Sequence, residues 1–600
     1  MTISRRDLCL TAAGVVARSF LIPPGFAQLT GARSVDVFVA KLTDDWARNN
    51  PQLATTQRYF TGEEQDMLER RISPQTRAEA LKRIELARKG LNELRTLDRT
   101  RWDESHRLWA EVLDWQLAIV VDEEPYLDYT FPLEQMNGFN VNAVERFTVS
   151  RPVTRLRDAE NYVAALSQVA PRMDESIAEA RRLQDRGIIP PDFILQATIK
   201  QMRGFVTPAP DANPFVTALV EKMASAKDIT PTKRAVLRAE AARTVEARIY
   251  PAWKRGITLL LEQLPKSTSE AGLWRLKGGA EAYAYFLKRH TTTNTSAEEI
   301  HQIGLRQVAA IEGQMDTLLK KIGRSEGTVN ERIEKLRLDL RYPNPTSEAS
   351  REQIMKDLNA IIVDAAKRSE SLFDLRPKSP VIAQPFPTFR EANAAANYNM
   401  PAQDGSRPGV VQYPRRIERM TKFGLRTLAY HEAIPGHHFQ IALQVENRSL
   451  PRFMQLRAFG NIAANSEGWG LYAEKLAAES GWYDDDVEGM LGQLSNELWR
   501  ARRLVVDTGL HAKKWTRQQS IDYGIEPSEV ERYVVFPGQA CSYMMGQLNL
   551  LDLREKAKRT LGPRFSLREY HNAVFRAGSV PSGVLEKLID AYIARTTASA

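Results

Sequence analysis

The chain is 600 residues long, enough for more than one hydrophobic core, and its 43% apolar and 26% charged residues are those of an ordinary soluble globular protein. Its net charge of +9 is the small difference between 83 cationic and 74 anionic side chains mixed along the sequence. No run of Lys and Arg interleaved with aromatics stands out, so no nucleic-acid partner is expected.

The opening segment, "MTISRRDLCLTAAGVVARSFLIPPGFAQ", reads as a targeting sequence. Arg5 and Arg6 precede a mildly apolar stretch, and the small residue Ala27 suits a cleavage site. A twin-arginine pair before a weak apolar core points to export of an already folded protein. Residues 1–27 are therefore expected to be removed, leaving a periplasmic or secreted chain. The stretch is too short for a membrane span and is interrupted by Arg18, so no stable membrane association is expected. With Cys9 gone, only Cys541 remains, no intrachain disulfide can form, and Cys541 reads as a small buried residue.

From about 35 to 345 the pattern is helical. Residues 156–187 carry apolar positions at three- and four-residue spacing and end at a glycine. Residues 232–264 repeat the pattern, with Pro251 expected to kink or divide the helix. Residues 295–323 begin with a capping box, Ser296 and Glu299, and end at Gly323 after two lysines. His301 on this helix reads as a packed or surface residue. Proline-rich breaks at 342–347 and 374–387 place a soft boundary near 345, between a helical region 28–345 and a second region 346–600. Residues 408–414, "PGVVQYP", are strand-like and suggest a small sheet beside the segment that follows.

That segment is "YHEAIPGHHFQ", residues 430–440. His431 and Glu432 open the zinc-protease pattern H-E-x-x-H, but Pro435 occupies the second histidine's position, and His437 and His438 follow it. On a regular helix His431 and His437 are about 9 Å apart along the axis and well off one face. Pro435 cannot donate to the carbonyl of His431, and its ring clashes with that carbonyl. Gly436 permits the detour. The Pro-Gly pair is thus expected to force a bulge that returns a histidine to the metal face. About 30 residues on, Glu467 lies among Gly468, Trp469 and Gly470, where a carboxylate is costly unless paired or bound to metal. Glu474, two turns further, suits either a surface position or an orienting one.

The stretch "AYHEAIPGHHFQ", with "NSEGWGLYAE" at 465–474, "RLVVDTGLHAKKW" at 503–515 and "ERYVVFPGQACSYMMGQ" at 531–547, resembles the domain-of-unknown-function 885 family, which is grouped with gluzincin-type metallopeptidases. The resemblance runs over nearly the whole mature chain. It implies a mainly α, two-lobed metallopeptidase-like fold with helices lining a deep cleft and a small β element near the motif helix. Its pattern favours His437 over His438 as the second ligand.

The expected site is one Zn²⁺ held by His431, His437 and Glu467, with Glu432 as the base that takes a proton from water and passes it to the leaving nitrogen. Tyr543, then Tyr533, then His511 are candidate donors to the oxyanion. Arg532 and Arg502 are candidates to bind a substrate carboxylate, and Arg407 with the strand after it a candidate to pair with an extended peptide. The expected function is an exported zinc metallopeptidase acting on a peptide or small amide. The competing readings are an amidase or esterase on non-peptide conjugates, and a periplasmic binding protein without turnover.

Overall fold

The computed structural model describes residues 31–386, 396–401 and 407–598. The expected export segment, 1–27, lies outside them. The protein is mainly α, 71% helical, and its described strands form one three-stranded sheet. Among the described residues no helix is long and apolar enough to cross a membrane.

The N-terminal half is built from the expected helices. Residues 156–187 form Leu156–Leu166 and Val169–Asp185, closed by Gly187 at a φ of 75° that a glycine takes without strain. Pro251 does not end its helix: a π turn, Val245–Ile249, joins Pro231–Thr244 to Tyr250–Gln263. The wider register falls where Pro251 has no N–H to give. Two further helices from this half matter for the site, α1 (Arg77–Thr96) and α2 (Glu104–Val121). Helix α3 (Ala297–Lys321) starts with both arms of the Ser296–Glu299 capping box formed. On it His301 is buried against Thr508 at 2.8 Å, a packing role.

Helix α4 (Glu348–Arg368) leads into the sheet, whose strands are β1 (Val381–Pro385), β2 (Asn397–Asn399) and β3 (Gly409–Tyr413). The strand-like run of the sequence is β3, the central strand, parallel to β1 and antiparallel to β2. Asn359 of α4 pins the sheet by bonding both the N–H and the carbonyl of Ala383, at 2.9 and 3.1 Å. The remaining site elements are α5 (Leu425–Glu432), α6 (His437–Glu446), α7 (Ala463–Glu479), α8 (Val487–Ala512), α9 (Pro527–Val535) and α10 (Ser542–Leu561).

One apolar cluster lies wholly within residues 72–260, while others cut across position 345. One cluster joins Ile84 and Leu94 of α1 and Leu113 and Leu117 of α2 to Leu358 of α4, Val411 of β3, Tyr430 of α5 and Trp469 of α7. Helices α7 and α10 cross at bare backbone: a Cβ on Gly468 would stand 2.5 Å from Gly546, and one on Gly546 2.0 Å from the carbonyl of Ala464. That contact fixes the depth at which α7 sits, and with it Glu467. Cys541, at the start of α10, is buried as expected.

Candidate metal centre

The motif is carried by two helices, not by one bulged helix. Helix α5 ends at Glu432, α6 begins at His437, and Ala433 to Gly436 turn between them. Ala433, at φ −108° and ψ −95°, leaves the helical region two residues before Pro435, whose ring cannot occupy the next turn. Gly436 is required for space: a Cβ there would lie 1.9 Å from the carbonyl oxygen of His431 and 2.3 Å from that of Tyr430. The turn is held by Trp469, fully buried on α7, whose indole N–H donates to the Pro435 carbonyl at 2.9 Å.

This break brings His431, His437 and Glu467 together, with one ligand atom from each within 4.8 Å of the others. The Glu467 Oε2 lies 3.5 Å from His437 Nε2 and 3.9 Å from His431 Nε2. Two ligands at about 2.1 Å from a tetrahedral ion stand about 3.4 Å apart, so the donor set fits a single zinc-sized cation. Electrostatics agree. Burial opposes charge on His431, but its contacts with Glu467 and Glu474 overcome it and raise the ring to about 9. Burial likewise opposes charge on Glu467, yet His431 and His437 hold its carboxyl far below the usual carboxylate range. Both shifts mark a pocket that favours positive charge beside an ionised Glu467.

Glu474 meets the far side of the His431 ring and is no surface residue. Fully buried on α7, it sits 2.6 Å from His431 Nδ1 and accepts two hydrogen bonds at 2.7 Å from Asn496 of α8. Gly470, one turn before it, makes room for the ring: a Cβ there would meet His431 at 2.7 Å. The Nδ1 of His437 is buried and has no such partner among the described residues. Glu432 is buried at the end of α5, where burial raises its carboxyl, His437 and His431 draw it back down, and Glu467 adds to the rise. A carboxyl lifted toward neutrality beside a cation site suits a proton carrier.

His438 is occupied elsewhere. Its Nδ1 lies 3.0 Å from the Tyr398 hydroxyl of β2, and its Nε2 lies 3.0 Å from the Ser379 carbonyl before β1. Burial pushes this ring down to about 4, so it is a neutral joint between α6 and the sheet.

The other expected residues divide. Tyr543, at the start of α10, has Arg503 and Arg500 of α8 over its ring at 4.5 and 5.8 Å. Arg500 in turn stands in the field of Glu467, Glu474 and Glu432, while the Tyr543 ring packs against the apolar cluster of α3 and α8. Tyr533 is buried on α9, its hydroxyl donating to Glu529 at 3.1 Å. Arg532 donates to Gln539 at 2.5 Å and to Glu529 at 3.3 Å. His511, which burial pushes down to about 4, accepts from the Leu273 N–H and donates to the Tyr533 carbonyl, so both its nitrogens are spent on backbone. Arg502 faces α3, pairing with Glu312 at 2.7 Å and Asn330 at 3.0 Å. Arg407 is exposed, before β3 and near Tyr398. Arg500 and Asn496 were not among the expected residues. The signal was present in "NELWRARRLVV", 496–506: charged residues crowded on an apolar helix must either be buried with partners or serve a site.

The family described as "Bacterial protein of unknown function (DUF885)" matches residues 51–589. The chain belongs to this family. A crystal structure of a "putative lipoprotein" from Colwellia psychrerythraea is similar at a TM-score of 0.87 and 30% identity, over 94% of this chain and 99% of that one. A "putative lipoprotein of unknown function" from Shewanella oneidensis, at 16% identity and a TM-score of 0.66 over 92% and 98% of the two chains, shares the fold. No curated protein matches.

Proposed function

We propose that this DUF885 protein is an exported zinc-dependent hydrolase, a metallopeptidase that cleaves peptide or small amide bonds. The observation that carries the reading is the convergence of His431, His437 and Glu467, from three different helices, beside the buried Glu432. When bound, a divalent zinc ion would act as a Lewis acid that makes water a nucleophile at neutral pH and polarises the scissile carbonyl. The residues do the rest. Glu432 takes a proton from the attacking water and returns it to the departing nitrogen. Tyr543 offers its hydroxyl to the carbonyl oxygen as charge develops there. Glu474, fixed by Asn496, keeps the Nε2 of His431 turned toward Glu467. Export is supported by Arg5 and Arg6 before the apolar segment and by similarity to proteins described as lipoproteins.

Metal analysis by mass spectrometry tests the reading. The expected result is one zinc per chain, lost in His431→Ala, His437→Ala and Glu467→Ala, and kept in His438→Ala despite a weakened sheet. Glu432→Gln should keep the metal and lose peptide hydrolysis by about 100-fold or more. A zinc-free parent after incubation with zinc, or a metal-loaded Glu432→Gln of undiminished activity, would sink it.

A further inference from the structure

Arg500 is a buried cation with no carboxylate of the described residues bonded to it directly, although the charges of Glu474, Glu467 and Glu432 reach it. It lies on α8 with 7% of its surface exposed. Its Nη1 donates to the side chain of Asn496 and, at 3.3 Å, to the Asn496 carbonyl, both neutral acceptors. Its Nε is buried with no hydrogen-bond partner among the described residues. The neighbouring arginines differ. Arg503 pairs with Glu529 at 2.9 Å, and Arg502 with Glu312 at 2.7 Å. Burying a guanidinium that bonds no carboxylate directly is costly even with Glu474 and Glu467 nearby, so a fold that keeps one beside this centre leaves it able to take an anion.

The guanidinium's placement indicates that use. One face covers the Trp499 ring at 4.5 Å, and the ring of Tyr543 lies 5.8 Å away. Stacking on a ring occupies the flat face, and with Nη1 on Asn496 and Nε buried, Nη2 is what remains of the in-plane edge to meet a carboxylate. Asn496 links the group to the centre, since the same side chain that accepts from Arg500 donates to Glu474, which orients His431. Arg457, the other cation near Glu467, is half-buried and donates to Asn461 at 3.2 Å, and its Nη2 too is buried without a hydrogen-bond partner among the described residues.

We propose that Arg500 anchors a carboxylate of the substrate, so that the enzyme prefers peptides with a free carboxylate close to the scissile bond. This deepens the hydrolase reading and rests on it. Two sources supply the same chemistry, the C-terminal α-carboxylate and the side chain of an acidic residue.

The experiment uses one short peptide containing a glutamate in three forms: free acid, C-terminal amide, and Glu-to-Gln. Hydrolysis by the zinc-loaded parent is measured as KM and kcat, and binding to Glu432→Gln protein by calorimetry. An α-carboxylate anchor predicts that the amide alone loses affinity, by about 100-fold, and a side-chain anchor predicts the same loss for the Gln form alone. Arg500→Gln should erase the discrimination, weakening the preferred form and leaving the form that lacks that carboxylate within about threefold. Arg500→Lys, which keeps the charge without the fork, should fall between. If Arg500→Gln does not fold, the three-peptide comparison on the parent and Arg500→Lys still decides. Equal handling of all three forms by the parent, an equal loss on all forms in the variants, or no binding of any form overturns the proposal. A parent that discriminates in binding but never turns over overturns the hydrolase reading and leaves the anchor standing.

Discussion

His437 and His438 are adjacent in sequence and have unlike surroundings. One faces Glu467 at 3.5 Å, while the other is held by Tyr398 and Ser379. Spacing alone does not separate them, because the choice depends on the angle between α5 and α6, set by the turn and by Trp469 far along the chain. His431 and Glu432 stood out in sequence as the opening of an H-E-x-x-H pattern, and Glu467 as a carboxylate in an apolar stretch that demands a partner. Glu474 was ambiguous in sequence, and its environment resolves it. A buried carboxylate that receives Asn496 and faces His431 Nδ1 sets which ring nitrogen is free. Glu474→Gln puts an amide donor against those of Asn496 and loosens the ring. Zinc affinity, measured by competition with a chelator, should fall about 10–100-fold with the helix content unchanged. An unchanged affinity would reduce Glu474 to packing.

At the scale of elements, the capped helix α3 and strand β3 were readable because their signals are local: a Ser-x-x-Glu start and an apolar run between prolines. The parallel pairing of β1 with β3 was not, since nothing near either strand names its partner. The break between α5 and α6 was half readable. Proline forbids a regular helix, but whether the chain bulges or restarts depends on what the turn packs against. Gly436 carries that constraint, which gives a sharp test. Gly436→Ala places a Cβ 1.9 Å from the His431 carbonyl, so the turn must shift. The expected cost is about 1–3 kcal/mol in chemical denaturation, together with weaker zinc binding. Gly313→Ala on α3, where a Cβ meets nothing within 4 Å, should hold or raise stability and leave zinc binding alone. Equal effects of the two substitutions would show that the turn has slack.

At the scale of the molecule, proline-rich breaks near 345 invite a division there, while packing runs through it. Ile84, Leu94, Leu113 and Leu117 are fully buried in the cluster that contains Tyr430, next to His431, and Trp469, which holds the metal-motif turn. A sequence shows the breaks because proline is a local event, and it hides the shared core because apolar positions carry no address. The consequence is that residues 346–600, which contain every proposed ligand, should not fold as a unit. Without α1 and α2 the cluster would expose several large apolar side chains, each worth about 1.5–3 kcal/mol of lost burial, a sum on the order of a domain's whole stability. The isolated fragment should show no cooperative thermal transition by circular dichroism, rapid proteolysis, and no stoichiometric zinc. A fragment that melts cooperatively and binds zinc would mean that the N-terminal helices cover the site without building it. If it fails as expected, the three proposed ligands are held at a few ångströms by a core that α1 and α2 help to fill, and the long helical region ahead of the motif is part of how the site is made.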